Sequence, residues 1–255
     1  MTTTVYDVDG KVVTTDSRWS INLDGLGLVN HVLFVDNTEF EKLANRQTVC
    51  VIFAGDLELI SEWKAWLNQE DLGVDIPRTE ISQDRTVSLT LIHKKNNQVL
   101  FDCGLKYPLL DEHSKRMLAL FAGSGGINAC HCWVENRCAR TCIGTAATAD
   151  PYTGGEIKFL NFVSDDNNLG SYCFDPKVVM EAILDRGKVM NVLQAGQIVD
   201  LKDFDKDGVI KSAVLNGALH ATAPVGGDSQ FKWTEERKSK LRSVLAEIRE
   251  EEQSL

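Results

Sequence analysis

Met1-Thr2-Thr3-Thr4-Val5-Tyr6-Asp7-Val8-Asp9-Gly10-Lys11-Val12-Val13-Thr14-Thr15-Asp16-Ser17-Arg18 opens the chain. Residues 3–8 and 11–16 alternate about Asp9-Gly10, a dipeptide that supplies φ > 0 for a tight turn, so they predict two paired strands. Thr2 stands directly behind the initiator methionine and is small, which makes trimming of Met1 the expected processing step. Removal would leave one residue carrying both a hydroxyl nucleophile and an α-amine whose pKa lies near neutrality, about 7.7–8.0. By itself a threonine-rich N-terminus is ordinarily an unstructured end. The rest of the sequence gives the chemical reading its weight.

Outward from this hairpin, Val49-Cys50-Val51-Ile52-Phe53 predicts a buried strand that stops at Ala54-Gly55-Asp56. Leu59, Ile60, Trp63, Trp66 and Leu67 then fall at helical spacing. Thr86 to Ile92 and Gln98 to Cys103 predict a second hairpin across Asn96-Asn97. Met117 to Ala122 is strand-like and ends in Gly123-Ser124-Gly125-Gly126, with a helix expected from about Ile127 to Ala147. Asp150-Pro151-Tyr152-Thr153-Gly154-Gly155 leads into a strand over Ile157 to Val163. Hairpins alternating with helices suggest sheets covered by helices on their outer faces.

The chain has 255 residues, 43% hydrophobic, enough for a substantial core. Its 27 basic and 37 acidic residues give a net charge of −10, with no basic run to line a phosphate backbone, so nucleic acid is excluded as an expected partner. No stretch approaches ~18 consecutive apolar residues, and a membrane partner is not expected either. A cytoplasmic location is the expectation, and seven cysteines without small-scaffold spacing read as reduced thiols.

Thr2-Thr3-Thr4, Asp16-Ser17-Arg18, Phe53-Ala54-Gly55, Gly123-Ser124-Gly125-Gly126 and residues 150–155, in that order, resemble the proteasome β-subunit and its bacterial relative HslV. The resemblance spans roughly residues 2–163. It implies an α+β fold, the four-layer αββα sandwich of N-terminal-nucleophile hydrolases, with a core over residues 2–165. Residues 166–255 would be a C-terminal extension packed on the core or on a neighbouring subunit. It also implies a threonine peptidase that cleaves protein or peptide substrates inside a homo-oligomeric ring, with no cofactor required; an ATPase unfoldase is a candidate partner, but no motif names one.

Carried over residue by residue, the resemblance makes Thr2 the nucleophile and Asp16 the carboxylate that holds a neighbouring ammonium. Two alignments compete for that ammonium's position. One places His31 there; the other places Lys42, which keeps a permanent charge and leaves a shorter connection to Gly55, and is preferred. Gly55 would offer its N–H to the developing oxyanion. Ser124, Asp150 and Thr153 would surround the nucleophile's amine, and Phe53 would floor the pocket for the side chain preceding the cut. Two other readings stand beside this one: an amidohydrolase using the same Thr2 on a small-molecule amide, and a catalytically silent ring protein.

Toward the C-terminus, Asp175-Pro176 predicts a helix start, with Val178, Val179, Ala182 and Ile183 apolar. Leu241, Val244, Leu245 and Ile248 mark an amphipathic terminal helix beginning near Thr234. It would pack on its own subunit or dock against a neighbour. Between them, Asp203, Asp205, Asp207 and Gly208 reproduce the first half of a calcium loop, but Val214 stands where a bidentate carboxylate is needed. An Asp/Gly-rich turn is the favoured reading, with Ca²⁺ or another cation the alternative. Cys130, His131, Cys132, Cys138 and Cys142 lack zinc-knuckle spacing and read as small packing residues.

Overall fold

The first hairpin forms as its alternation predicts: β1 (Thr3–Asp7) pairs antiparallel with β2 (Val12–Thr15). The computed structural model describes residues 2–104, 106–194, 196–223 and 231–255, so Met1 lies outside the described residues. One detail of the turn is corrected: positive φ falls on Lys11 (50°) and not on Gly10. The Asp7 carboxylate accepts the Gly10 N–H at 2.9 Å and organises the turn from its leading strand.

Next come β3 (Trp19–Asn22), β4 (His31–Val35), β5 (Leu43–Asn45) and β6 (Val49–Asp56). β6 continues through Gly55 where a stop was expected, because Gly55 adopts φ 115° inside the ladder. Asp56 then caps α1 (Leu57–Leu67) by accepting the Glu58 and Leu59 N–H groups. β7 (Glu80–Ser82) precedes β8 (Arg85–His93) and β9 (Val99–Asp102), the hairpin expected around Asn97, whose φ is 61°. β10 (Lys106–Leu110) and β11 (Met117–Gly123) follow.

The single helix expected over about 127–147 is two, α2 (Gly126–Asn136) and α3 (Ala139–Ala149). Arg137 enters the left-handed region (φ 51°), donates its N–H to the Trp133 carbonyl and ends α2; Cys138 is extended and starts α3. The remaining elements are β12 (Lys158–Asn161), α4 (Lys177–Arg186), β13 (Lys188–Asn191), β14 (Ile198–Asp200), α5 (Leu201–Phe204), α6 (Val209–Leu215), β15 (Thr222–Ala223) and α7 (Glu235–Gln253). α4 starts just after Pro176, and Asp175 accepts the Lys177 N–H at 3.0 Å.

The fold is mixed α+β, with two antiparallel sheets among the described residues. One has the order β10-β11-β1-β2-β12; the other runs β14-β13-β4-β3-β15-β6-β8-β7, with β5 also on β6 and β9 also on β8. Period-two alternation sorts the side chains. Val5, Ala119 and Phe121 face α2 and α3, packing on Ala129, Trp133, Cys142 and Ile143. Tyr6, Val13, Leu120 and Leu160 turn the other way and meet Cys50, Ile52 and Ile92 of the second sheet. Val51 and Phe53 project from that sheet's far side into the core shared with α1, α4 and α7.

Residues beyond 166 are woven into this second sheet. β13 pairs with β4, and β15 lies between β3 and β6. α7 buries Leu241, Val244, Leu245 and Ile248 in the same core as Leu59 and Trp63, so the terminal helix packs on its own chain. No helix among the described residues is long and apolar enough to cross a membrane.

α1 carries Lys64 on its buried face, 1% exposed. Burial pulls its pKa down to about 8, against an opposing pull from Glu41. The unfolded chain, with an ordinary value of 10.5, therefore binds more protons between these two values, and stability should rise with pH across that window. The gain relative to Lys64→Met is expected to approach roughly 3 kcal/mol in urea melts. A difference that does not change with pH would show Lys64 charged throughout.

Candidate active site

The reactive geometry gathers at the start of β1. Thr2 Oγ1 donates to Asp16 Oδ1 at 2.6 Å and accepts from Lys42 Nζ at 3.1 Å. Lys42 Nζ also donates to Asp16 Oδ1 at 2.9 Å, and all three residues are 1% exposed. Asp16 follows β2 directly, so the hairpin that positions Thr2 also delivers its carboxylate. Lys42 immediately precedes β5, and its carbonyl accepts the Phe53 N–H at 2.9 Å.

Backbone donors hold Asp16 in place. Its Oδ1 accepts the Thr3 N–H at 2.9 Å; its Oδ2 accepts the N–H groups of Arg18 at 3.1 Å and Gly154 at 3.2 Å. Arg18 fastens the same corner: its guanidinium forks onto Asp36, donates to the Pro151 carbonyl at 2.6 Å and lies over the Phe34 ring. Burial lowers the pKa of Lys42, and Asp16 opposes that shift without cancelling it. The result is an amine in a dry site that gives up its proton more readily than a solvated lysine, in contact with a hydroxyl oxygen.

Ser124, Asp150 and Thr153 also come together. Thr153 Oγ1 donates to Asp150 Oδ2 at 2.6 Å, and Ser124 Oγ donates to the same oxygen. This group ends on Thr3, whose Oγ1 lies 2.6 Å from Thr153 Oγ1. Strand alternation explains the division: Thr2 points toward the second sheet and Lys42, while Thr3 points toward the α2/α3 side and Asp150. The resemblance gives this cluster to the Thr2 amine; the hydrogen bonds add Thr3 to it, a residue that the threonine run signals when read at the two-residue period of a strand.

Two glycines make room for this arrangement. A Cβ on Gly125 would lie 2.2 Å from Thr3 Oγ1, and one on Gly123, at φ 85°, would lie 1.5 Å from the Thr2 carbonyl oxygen. Gly123→Ala is therefore expected to cost at least about 2 kcal/mol in a denaturant melt, since strain and clash add. An unchanged midpoint would contradict the close packing of Thr2 on β11. Gly55 has its own backbone constraint: at φ 115° its Cβ would lie 2.1 Å from the Thr86 carbonyl oxygen.

Other expected positions lie elsewhere. Phe53 is 0% exposed within the core beneath α1, so it offers no open pocket floor; a buried strand's alternation turned it inward. His31 sits at the start of β4 with its ring 5.7 Å from that of Phe204 and its Nδ1 3.0 Å from the Val29 carbonyl oxygen. Of the two alignments, the folded chain brings Lys42 to Thr2.

Asp203, Asp205 and Asp207 do not form a cation site. Asp205 is taken up by the Ile210 and Lys211 N–H groups, as a turn leading into α6. No group of three or more His, Cys, Asp or Glu side chains is arranged to hold a metal among the described residues. Cys132 and Cys142 are buried in the helix packing, but Cys138 is exposed at the break between α2 and α3. No family model, curated protein or solved structure matches the chain.

Proposed function

We propose that this chain is an N-terminal-nucleophile hydrolase, a threonine peptidase that works as the subunit of a cytoplasmic, self-compartmentalising ring. The observation that carries the reading is the buried triangle of Thr2 Oγ1, Lys42 Nζ and Asp16 Oδ1, with edges of 2.6, 2.9 and 3.1 Å. The succession of helices, sheet, sheet and helices, each boundary filled by its own apolar cluster, supports the four-layer αββα arrangement.

The chemistry begins when Met1 is removed and the Thr2 nitrogen becomes an amine. That amine takes the hydroxyl proton, directly or through water, as Oγ1 attacks the scissile carbonyl carbon. The Lys42 ammonium faces the charge developing on Oγ1, and Asp16 keeps that ammonium in place. Collapse of the tetrahedral intermediate breaks the C–N bond, and the proton passes to the leaving amine. Water then hydrolyses the ester on Thr2, with the amine as base. The silent-ring alternative depended on Lys42 lying away from Thr2; the 3.1 Å contact weighs against it.

Intact mass before and after incubation with a peptide epoxyketone tests the reading, since that probe closes a ring on both the hydroxyl and the free amine of an N-terminal threonine. The expected result is a parent lacking Met1 that gains one adduct, in a large assembly. A Met1-free parent that gains none would overturn it. Adduct formation in a small oligomer that cleaves one small amide would favour the amidohydrolase.

A further inference from the structure

Lys64 is a buried cation that the chemistry above does not use. Among the described residues no carboxylate forms a direct salt bridge with it, and the Glu41 carboxylate acts on it only from longer range. Buried ammonium groups are rarely left without a directly paired counter-ion, because desolvation costs several kcal/mol. On α1 it occupies a place between Ile60, Trp63 and Leu67 that an apolar residue would fill more cheaply.

What Lys64 touches gives it a purpose. Its Nζ donates to the Glu41 carbonyl at 2.9 Å and lies 4.4 Å from the Phe40 ring centroid and 5.1 Å from that of Tyr172. The Tyr172 hydroxyl donates to the Lys64 carbonyl at 2.7 Å, tying the cage to the helix backbone. Phe40, Glu41 and Lys42 lie between β4 and β5, outside any regular element. Each of their carbonyls is nevertheless held by a different element. Trp19 Nε1 of β3 donates to Phe40, Lys64 of α1 to Glu41, and the Phe53 N–H of β6 to Lys42.

We infer that Lys64 is the positioning residue for Lys42: its ammonium, caged by Phe40 and Tyr172, clamps the irregular 40–42 segment so that the Lys42 amine is held against the Thr2 hydroxyl. A helix places the head group at the end of a long stem, and a charged donor makes a bond about twice as strong as a neutral one. That strength suits a segment with no ladder of its own. Without the clamp the Glu41 carbonyl is left unpaired in the core, and the segment relaxes toward other donors. The inference rests on the proposed hydrolase reading, because it concerns the geometry of that site.

The test is the kinetics of epoxyketone inactivation of the full chain, comparing the parent with Lys64→Met. Methionine has similar volume and removes the charge, so the fold should persist; adduct stoichiometry and a thermal melt check this. The maximal inactivation rate per reactive site is expected to fall on the order of 10- to 100-fold, with the half-saturating probe concentration unchanged. A purely structural role would lower the fraction of reactive chains and leave the rate per site alone.

Phe40→Leu, which keeps Lys64 but opens its cage, is expected to lower the same rate by a smaller factor, and it serves if Lys64→Met does not fold. Parental rates per site in whichever of these variants folds would overturn the inference while leaving the hydrolase reading standing. No adduct on the parent chain would end both together.

Discussion

Thr2→Ala is expected to give no epoxyketone adduct and to lose roughly 10⁴- to 10⁶-fold in peptide hydrolysis, the scale seen when a nucleophile is removed from an otherwise intact site. Its stability should stay near that of the parent. The lost hydroxyl leaves Lys42 and Asp16 paired at 2.9 Å, and Asp16 keeps its three backbone donors. The variant therefore isolates chemistry from folding. Thr3→Ala is the control one residue away: it severs the 2.6 Å contact to Thr153 and leaves the Thr2 triangle in place. It should still form the adduct, more slowly. If Thr3→Ala abolished the adduct and Thr2→Ala did not, the nucleophile would be Thr3 and processing would have to remove one residue more.

Asp16→Ala and Lys42→Met should both lose activity by a factor on the order of 10²–10⁴, yet they should differ in stability. Among the described residues Lys42 Nζ makes two side-chain hydrogen bonds, to Thr2 Oγ1 and Asp16 Oδ1, and lies 5.8 Å from the Trp19 ring centroid. Removing Asp16 strands a fully buried ammonium and orphans the N–H groups of Thr3, Arg18 and Gly154, at a cost of about 3–5 kcal/mol. Removing Lys42 leaves Asp16 with those three N–H donors and the Thr2 hydroxyl, so the loss is expected to be nearer 1–3 kcal/mol. Urea midpoints for the two variants decide the order. A larger loss for Lys42→Met would mean that the backbone donors do not sustain the carboxylate and that the ammonium alone keeps Asp16 in the core.

Much of the fold was legible because it depends on local pattern. The opening hairpin, the Asn97 hairpin, α1 and α7 each follow from period-two or helical spacing with a cap or turn residue at the end. Departures occurred where one residue's backbone state overrode the pattern. Arg137 in the left-handed region splits a long helix, and Gly55 lets β6 continue past its expected stop. The two-residue strand β15, between β3 and β6, carries too little sequence to announce itself.

The site divides in the same way. Thr2 and Asp16 sit at the open end of one hairpin, so the two positions that the family resemblance named are brought together by a local element that the alternation predicts. Lys42, Thr153, Gly123 and Lys64 reach that corner from separate elements, and their meeting depends on how two sheets and a helix are stacked. The chain offered both His31 and Lys42 for the ammonium, with Lys42 preferred for its permanent charge, and it offered Phe53 both as a buried-strand residue and as a pocket floor. Contacts between residues distant in sequence are set by packing among layers, which no local periodicity encodes; only the folded chain put the amine of Lys42 against the hydroxyl of Thr2 and buried Phe53 away from it.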